Sequence, residues 1–244
     1  MLSPFFINDK QLTLSRFPLA QVNRSLQAWD AADEYLLNHI EDEQLISVDT
    51  CVAIFNDAFG SLTTHFCTPD VLVSDDLRKV DVYCVNDSLI SCQGIAYNIE
   101  QNQLTHENIT QLNCLDVLPK NIDVILFKIP KSKSLLIEQL IQIKNNVSQN
   151  TVFIAADRAK EIHSSTIKLF EKYLGTTSTS LAIKKARLVF CKLDQQQTFK
   201  SPFPTVWSLP NKALNRDFAI SNHANVYSRE KLDIGSRFFL QQFS

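Results

Sequence analysis

The run Cys51-Val52-Ala53-Ile54-Phe55-Asn56-Asp57-Ala58-Phe59-Gly60 opens apolar and closes in a turn carrying Asn, Asp and Gly. Its first five residues have the length and flanks of a buried strand. In a doubly wound α/β fold the first strand ends in this way, at the loop that cradles a ligand. Such a loop wants several glycines, because only a residue without Cβ lets the backbone close on what it binds. Here Ala58 and Phe59 stand where small residues are needed, and Gly60 stands alone. The stretch therefore reads as a first strand whose cofactor loop has degenerated. An ordinary strand and turn with no ligand history is the plainer alternative.

Working outward, the pattern repeats. Upstream, residues 1–22 with Pro4 and Pro18 suit an extended lead-in with one short strand, and Ser25 is placed to cap a helix. That helix carries Leu26, Trp29, Ala32, Leu36 and Ile40 on one face, with Asp30, Asp33 and Glu34 in its early turns. Downstream, residues 61–66 read as a short helix, and a polar stretch, Ser74–Lys79, leads to a strand at 80–86. Asp87 follows that strand. An acid there would bond ribose hydroxyls in a live cofactor site, whereas Asp87 and Ser88 serve equally well as helix caps, which is the preferred reading.

Further strands fall near 110–115, at 123–127 and at 152–156, the first ending at Asp116. Between the last two, Leu136, Leu140, Ile143 and Val147 mark the inner face of a helix. Another carries Ile162, Thr166, Leu169, Phe170 and Tyr173 and stops at Gly175, with His163 at its polar boundary. Two last strands are expected near 179–183 and 186–193, with Lys184 and Lys185 between them. Strands alternating with helices imply a mostly parallel sheet covered on both faces, with an antiparallel edge strand. Residues 1–200 make that domain. From 201 to 244, prolines 202, 204 and 210 mark a linker and lead-in segment, with one strand at 218–221.

Composition narrows the function. Hydrophobic residues make up 45% and charged ones 20% of 244, the mix of a soluble globular protein. The chain has only four glycines, against a usual ~7%, which disfavours a Gly-rich phosphate loop anywhere in it. A net charge of −2 means that any nucleic-acid binding has to come from a local patch. The cysteines at 51, 67, 84, 92, 114 and 191 form no C-x-x-C pair, and disulfide or zinc chemistry is not expected. No apolar run reaches the ~18–20 residues of a membrane span, and no secretory leader opens the sequence, so a cytoplasmic place is expected.

Several stretches, in order and at spacing, carry a family likeness. They are Leu26-Gln27-Ala28-Trp29-Asp30-Ala31-Ala32-Asp33-Glu34-Tyr35-Leu36-Leu37, Asn56-Asp57-Ala58-Phe59-Gly60, Leu169-Phe170-Glu171-Lys172, Lys184-Lys185-Ala186-Arg187-Leu188 and Asn222-His223-Ala224-Asn225-Val226-Tyr227-Ser228. Over essentially its whole length the chain resembles the N-terminal half of the bacterial large-subunit rRNA guanine-N2 methyltransferase G family. The small-subunit family is built alike. The resemblance implies a Rossmann-like S-adenosylmethionine (SAM) methyltransferase fold with a degenerate cofactor motif, followed in the family by an active half. The active half carries a Gly-rich SAM loop and an Asn-Pro-Pro-aromatic motif that holds the guanine amino group.

Neither motif stands here. Asn56, Asp57, Gly60 and Asp87 are at most vestiges of a SAM site, and Lys128-Ile129-Pro130-Lys131 replaces the guanine motif with only Pro130 retained. Without Asn and the aromatic, nothing orients or stacks a flipped base. Tyr227, Ser228, Asp233 and Gly235 resemble the lead-in to the active half, implying a chain cut between two halves. No catalytic residue, metal site or bound cofactor is expected in this chain, and SAM belongs to the full-length enzyme. The expected partners are rRNA, 23S above all, and the chain's own C-terminal catalytic domain, with no membrane. The candidate RNA-binding residues are Lys128, Lys131 and Lys133 after one strand, and Lys184, Lys185 and Arg187 near another. Both groups also read as ordinary solvated charges. A purely structural or dimerisation role, stabilising the catalytic half, is the alternative function.

Overall fold

A computed structural model describes residues 3–7, 10–21, 26–47, 49–68, 80–194, 197–211 and 216–243. Strands β1 (Ser3–Ile7) and β2 (Lys10–Leu14) pair antiparallel, so the lead-in holds two strands rather than one. Helix α1 (Ala31–Asp42) starts later than its apolar periodicity suggests. The reason is a reciprocal cap: Asp30 Oδ1 accepts from Ala32 N at 2.9 Å, and Asp33 Oδ2 accepts from Asp30 N at 2.9 Å. Trp29 lies before the helix and packs on Phe5, ring centroids 4.8 Å apart, while Leu26 is exposed. Ser25, expected to cap, lies outside the described residues, as does Ser74–Lys79.

The chain then alternates. Strand β3 (Cys51–Phe55) leads to α2 (Ser61–His65), β4 (Asp81–Val85) to α3 (Leu89–Gln101), and β5 (Ile109–Leu112) to β6 (Val124–Lys128). Helix α4 (Lys133–Asn146), β7 (Val152–Arg158), α5 (Ser164–Tyr173), β8 (Thr177–Thr179) and β9 (Ala186–Cys191) follow. Ser88 caps α3 and Ser132 caps α4 by accepting from Ser91 N and Leu135 N. Gly175, at φ 134°, ends α5.

Among the described residues, seven strands form one sheet in the order β5-β4-β3-β6-β7-β9-β8. Parallel pairing runs from β5 to β7, and β9 runs antiparallel to both neighbours, one position in from the edge. Because β3 sits mid-sheet, all five of its residues are buried, as a strand covered on both faces requires. Val52 and Ile54 join Leu36, Leu37 and Ile40 of α1 on one face. Ala53 and Phe55 join Phe127, Leu140, Phe153 and Phe170 on the other, under α4 and α5.

The C-terminal stretch is more ordered than a linker. Strands β10 (Thr205–Asn211) and β11 (Arg216–Asn222) pair antiparallel, and α6 (Ile234–Leu240) follows. Pro210 hides β10 from sequence reading, yet a two-stranded ribbon is all edge and tolerates it. Arg229 fastens this region to the sheet domain through Ser134 of α4.

Candidate functional site

In doubly wound sheets, ligands bind beyond the carboxyl ends of the parallel strands. Here that end is occupied by the protein's own polar groups. Asn56, at φ 60°, leaves β3 and forms a two-way amide pair with Gln139 of α4, both bonds 2.9 Å. Its Nδ2 also donates to the Lys128 carbonyl at 2.9 Å, tying the end of β3 to that of its neighbour β6.

Asp57 is fully buried. Its Oδ1 accepts from Gly60 N at 2.9 Å, and its Oδ2 accepts from Thr63 N and Thr63 Oγ1, each at 2.8 Å. Burial raises its pKa, the Asp33 carboxylate adds to that, and the three donors pull the other way. Asn86, at the end of β4, donates to the Asp57 carbonyl at 2.7 Å. Gly60 has φ 92°, and a Cβ there would come within 3.1 Å of the Ile95 Cα. The one glycine of the loop is thus used for close approach to α3, a protein element.

Phe59 packs against the core, and its carbonyl accepts from Asn98 at 2.7 Å. The Arg16 guanidinium lies 5.3 Å from its ring centroid. Ala58 is exposed, so the crowding expected of both residues falls on Phe59 alone. Asp87 accepts from Cys114 N at 2.8 Å and Asp116 from Asn113 N at 2.8 Å. Asp87 thus ties the end of β4 to the loop after β5, and Asp116 fastens its own loop. Burial, with Asp87 beside it, pushes the Cys114 thiol up to about 12, which leaves it inert.

The β6 end departs from expectation. Lys128 is 13% exposed, and its ammonium meets Asp33 at 2.7 Å and Asp30 at 2.8 Å. Burial lowers its pKa, and the two carboxylates more than offset that, leaving it raised. Lys128 is thereby committed to holding the start of α1 and is withdrawn from the set of free cations. Lys131 and Lys133 are exposed.

Lys184 is exposed and meets Glu34 at 2.7 Å, Lys185 is exposed, and Arg187 is half-buried with no hydrogen-bond partner for its Nε among the described residues. Because β9 runs against β7, Arg187 pairs with Asp157 and Ala186 with Arg158. The two basic groups of the sequence thus share one end of the sheet. Arg158 and Lys160, at the end of β7, join them there. Sequence reading missed both, since only the β7–β9 register reveals the neighbourhood. Asp30, Glu34, Asp157 and Glu161 are interspersed.

In the tail, Asp233 caps α6 by accepting from Ser236 N at 3.1 Å, and the Ser236 bonds hold its pKa low. Asp233 and Gly235 line an open hollow of about 610 Å³ with Leu232, Ser236, Phe239 and Leu240. Tyr227 is exposed, and Ser228 donates to the Lys231 carbonyl at 2.8 Å. Each cysteine is a free thiol, and no group of three metal-ligating side chains forms among the described residues. No helix among them is long and apolar enough to cross a membrane.

A seven-stranded sheet of this order, with its penultimate strand reversed, is the Rossmann-like fold of the SAM methyltransferases. The T. Thermophilus 16S rRNA N2 methyltransferase, solved with AdoMet and guanosine, superposes with a TM-score of 0.63 at 13% identity, covering 100% of this chain and 58% of that one. That likeness shows the fold alone. The model of the RLMG N-terminal domain family matches residues 3–195, and the chain belongs to this family. The ribosomal RNA large subunit methyltransferase G of Colwellia psychrerythraea is 64% identical over 245 residues, 99% of this chain and 61% of that protein. Its namesake from Pseudoalteromonas translucida is 42% identical over 236 residues, 96% of this chain and 57% of that one. The chain spans about three fifths of the length of these relatives.

Proposed function

We propose that this chain is the methyl-transfer-silent half of a SAM-dependent rRNA guanine-N2 methyltransferase, positioning rRNA for a catalytic half. The observation that carries the reading is the sealed end of β3 and β4. Asn56, Asp57 and Asn86 spend their side-chain polar atoms on the protein itself, and Asp87 gives one carboxylate oxygen to Cys114 N. A cofactor there would have to break the half-buried Asn56–Gln139 amide pair and displace Phe59. SAM and the methyl transfer then belong to the region of the relatives that lies beyond the match, and large-subunit (23S) rRNA in the cytoplasm is the target. Calorimetric titration of the chain with SAM should give no heat of binding, and a micromolar dissociation constant would overturn the reading.

The RNA-facing surface under this reading is the basic end of the sheet, with Lys131, Lys133, Arg158, Lys160, Lys184, Lys185 and Arg187, and without Lys128. Lysines there suit phosphate contacts, which position without reading sequence. One observation favours a second reading, a structural role: the aromatic side chains of α6 are exposed and suit a docked catalytic half. Changing Lys184, Lys185 and Arg187 to Ala separates the two. It should flatten the slope of log affinity against log salt by roughly two to three units. An unchanged slope and affinity, repeated for Lys131 and Lys133, would leave the structural role.

A further inference from the structure

The turn between β8 and β9 is built against the ordinary preference of its backbone. Ile183 N donates to Ala186 O at 2.9 Å and Ala186 N to Ile183 O at 2.8 Å, leaving a two-residue loop. Its central residues, Lys184 and Lys185, have φ of 47° and 68°. Two positive φ values define the I′ hairpin turn, which Asn-Gly fills with little strain. A lysine instead brings its Cβ close to the following carbonyl.

The strained tip is also held firmly. The Tyr35 hydroxyl donates to the Leu181 carbonyl at 3.4 Å, Ala159 N donates to the Lys185 carbonyl at 2.7 Å, and Lys184 meets Glu34 at 2.7 Å. Packing does not demand this conformation, because the tip's side chains face water. Leu181 is 86% exposed and Ile183 51% exposed. Strain kept where no core requires it points to a surface under functional constraint. What the tip presents is two bare aliphatic side chains beside two cations, with Arg187, Arg158 and Lys160 behind them.

We propose that the β8–β9 tip is a wedge for structured RNA. Leu181 and Ile183 enter a base step, and Lys184 and Lys185 hold the phosphates that flank it. The two demands fit one ligand: apolar wedges pry stacked bases apart while neighbouring cations grip the backbone. The Glu34 contact orients Lys184 in the free protein and yields to phosphate on binding. This inference rests on the reading that the basic end of the sheet faces RNA.

The test uses the chain and an RNA hairpin carrying 2-aminopurine at its stem–loop junction, followed by anisotropy and fluorescence over a range of salt. Binding of the unaltered chain should brighten the probe as its base unstacks. Leu181→Ser with Ile183→Ser should weaken binding on the order of tenfold and abolish the brightening, while keeping the salt slope. Lys184→Asn with Lys185→Gly retains the I′ turn without its strain. It should raise the thermal midpoint yet flatten the salt slope by roughly 1.4–1.8 units. Circular dichroism confirms that each variant is folded. If the unaltered chain binds RNA but the apolar change moves neither affinity nor fluorescence, the wedge is wrong and the RNA reading stands. If the apolar change leaves RNA binding intact and abolishes self-association, the tip is a protein contact, which also overturns the wedge. If the unaltered chain binds no RNA at low salt, both readings fall.

Discussion

At the scale of single residues, Lys128 shows how one side chain changes its meaning between sequence and structure. In sequence it is one of three lysines following a strand. In the fold it neutralises Asp30 and Asp33, the two residues that cap α1 reciprocally. Removing it strands a buried carboxylate, because Asp33 has no solvent to turn to. Lys128→Met should therefore cost about 3–5 kcal/mol by urea denaturation. Adding Asp33→Asn to that variant should recover part of the loss, and strict additivity of the two changes would refute the pairing. The pH dependence follows from the directions of the shifts. Burial raises the Asp30 pKa, and Lys128 with two backbone amides more than offsets it, leaving it lowered. The stability it contributes is present above its unfolded value and lost as pH falls through the folded one. The raised pKa of Lys128 places its own loss at the alkaline end, as pH rises through the folded value. The difference between the unaltered chain and Lys128→Met should thus be level across neutral pH and shrink in acid. Asp57 runs the opposite way. Its raised pKa gives stability below the unfolded value that is lost as pH rises through the folded one.

At the scale of elements, what was legible from sequence tracks how local the deciding interactions are. The core strands announced themselves by apolar runs, because a strand covered on both faces needs no polar alternation. The start of α1 was missed by several residues because apolar spacing continues upstream of the cap, through Leu26 and Trp29. The caps at Ser88 and Ser132 and the stop at Gly175 are local chemistry, and only Ser88 and Gly175 were singled out. Strand β11 was read at 218–221, while β10 stayed hidden behind Pro210 and the hairpin with it, since pairing is a fact about partners and not about either strand alone. Arg229 fastens the hairpin to α4, beside the Phe199–Asn145 and Ser201–Glu138 contacts of the segment that leads into it. That guanidinium donates to Thr205 Oγ1 at 3.1 Å, the Ala224 carbonyl at 3.2 Å and Ser134 Oγ, and lies 4.9 Å from the Phe203 ring centroid. Arg229→Ala should weaken the attachment by about 1–3 kcal/mol, the scale of buried donors and acceptors left unpaired. Hydrogen exchange should then quicken at 205–222 and stay unchanged at 51–55. Lys in its place should not rescue, because an ammonium cannot fill a planar fork and stack at once. Equal quickening in both regions would mean that the hairpin is integral to the sheet domain.

At the scale of the whole molecule, the chain is uneven in how firmly its parts are held. The sheet domain has aromatic and aliphatic cores on both faces, while α6 buries none of its residues. A seven-residue helix without a buried face is far below the length at which helices persist alone in water. Its Asp233 cap stabilises one end only. Phe238 and Phe239 are 65% and 62% exposed, beside the exposed Leu240, an apolar surface that single scattered residues do not explain. In the free chain, amides of 234–240 should exchange at nearly unstructured rates, while those of 51–55 exchange only on global unfolding. The same aromatics should drive concentration-dependent self-association, visible by sedimentation and removed by Phe238→Ser with Phe239→Ser. Those two changes should leave the unfolding free energy of the sheet domain within about 0.5 kcal/mol of its original value, because neither ring supports a core. Deep exchange protection of 234–240 in a chain that sediments as a monomer would show that α6 already has its partner within the molecule. In a protein of the relatives' length, the region beyond the match should restore protection to α6 and suppress the association, because covering the rings removes both effects together.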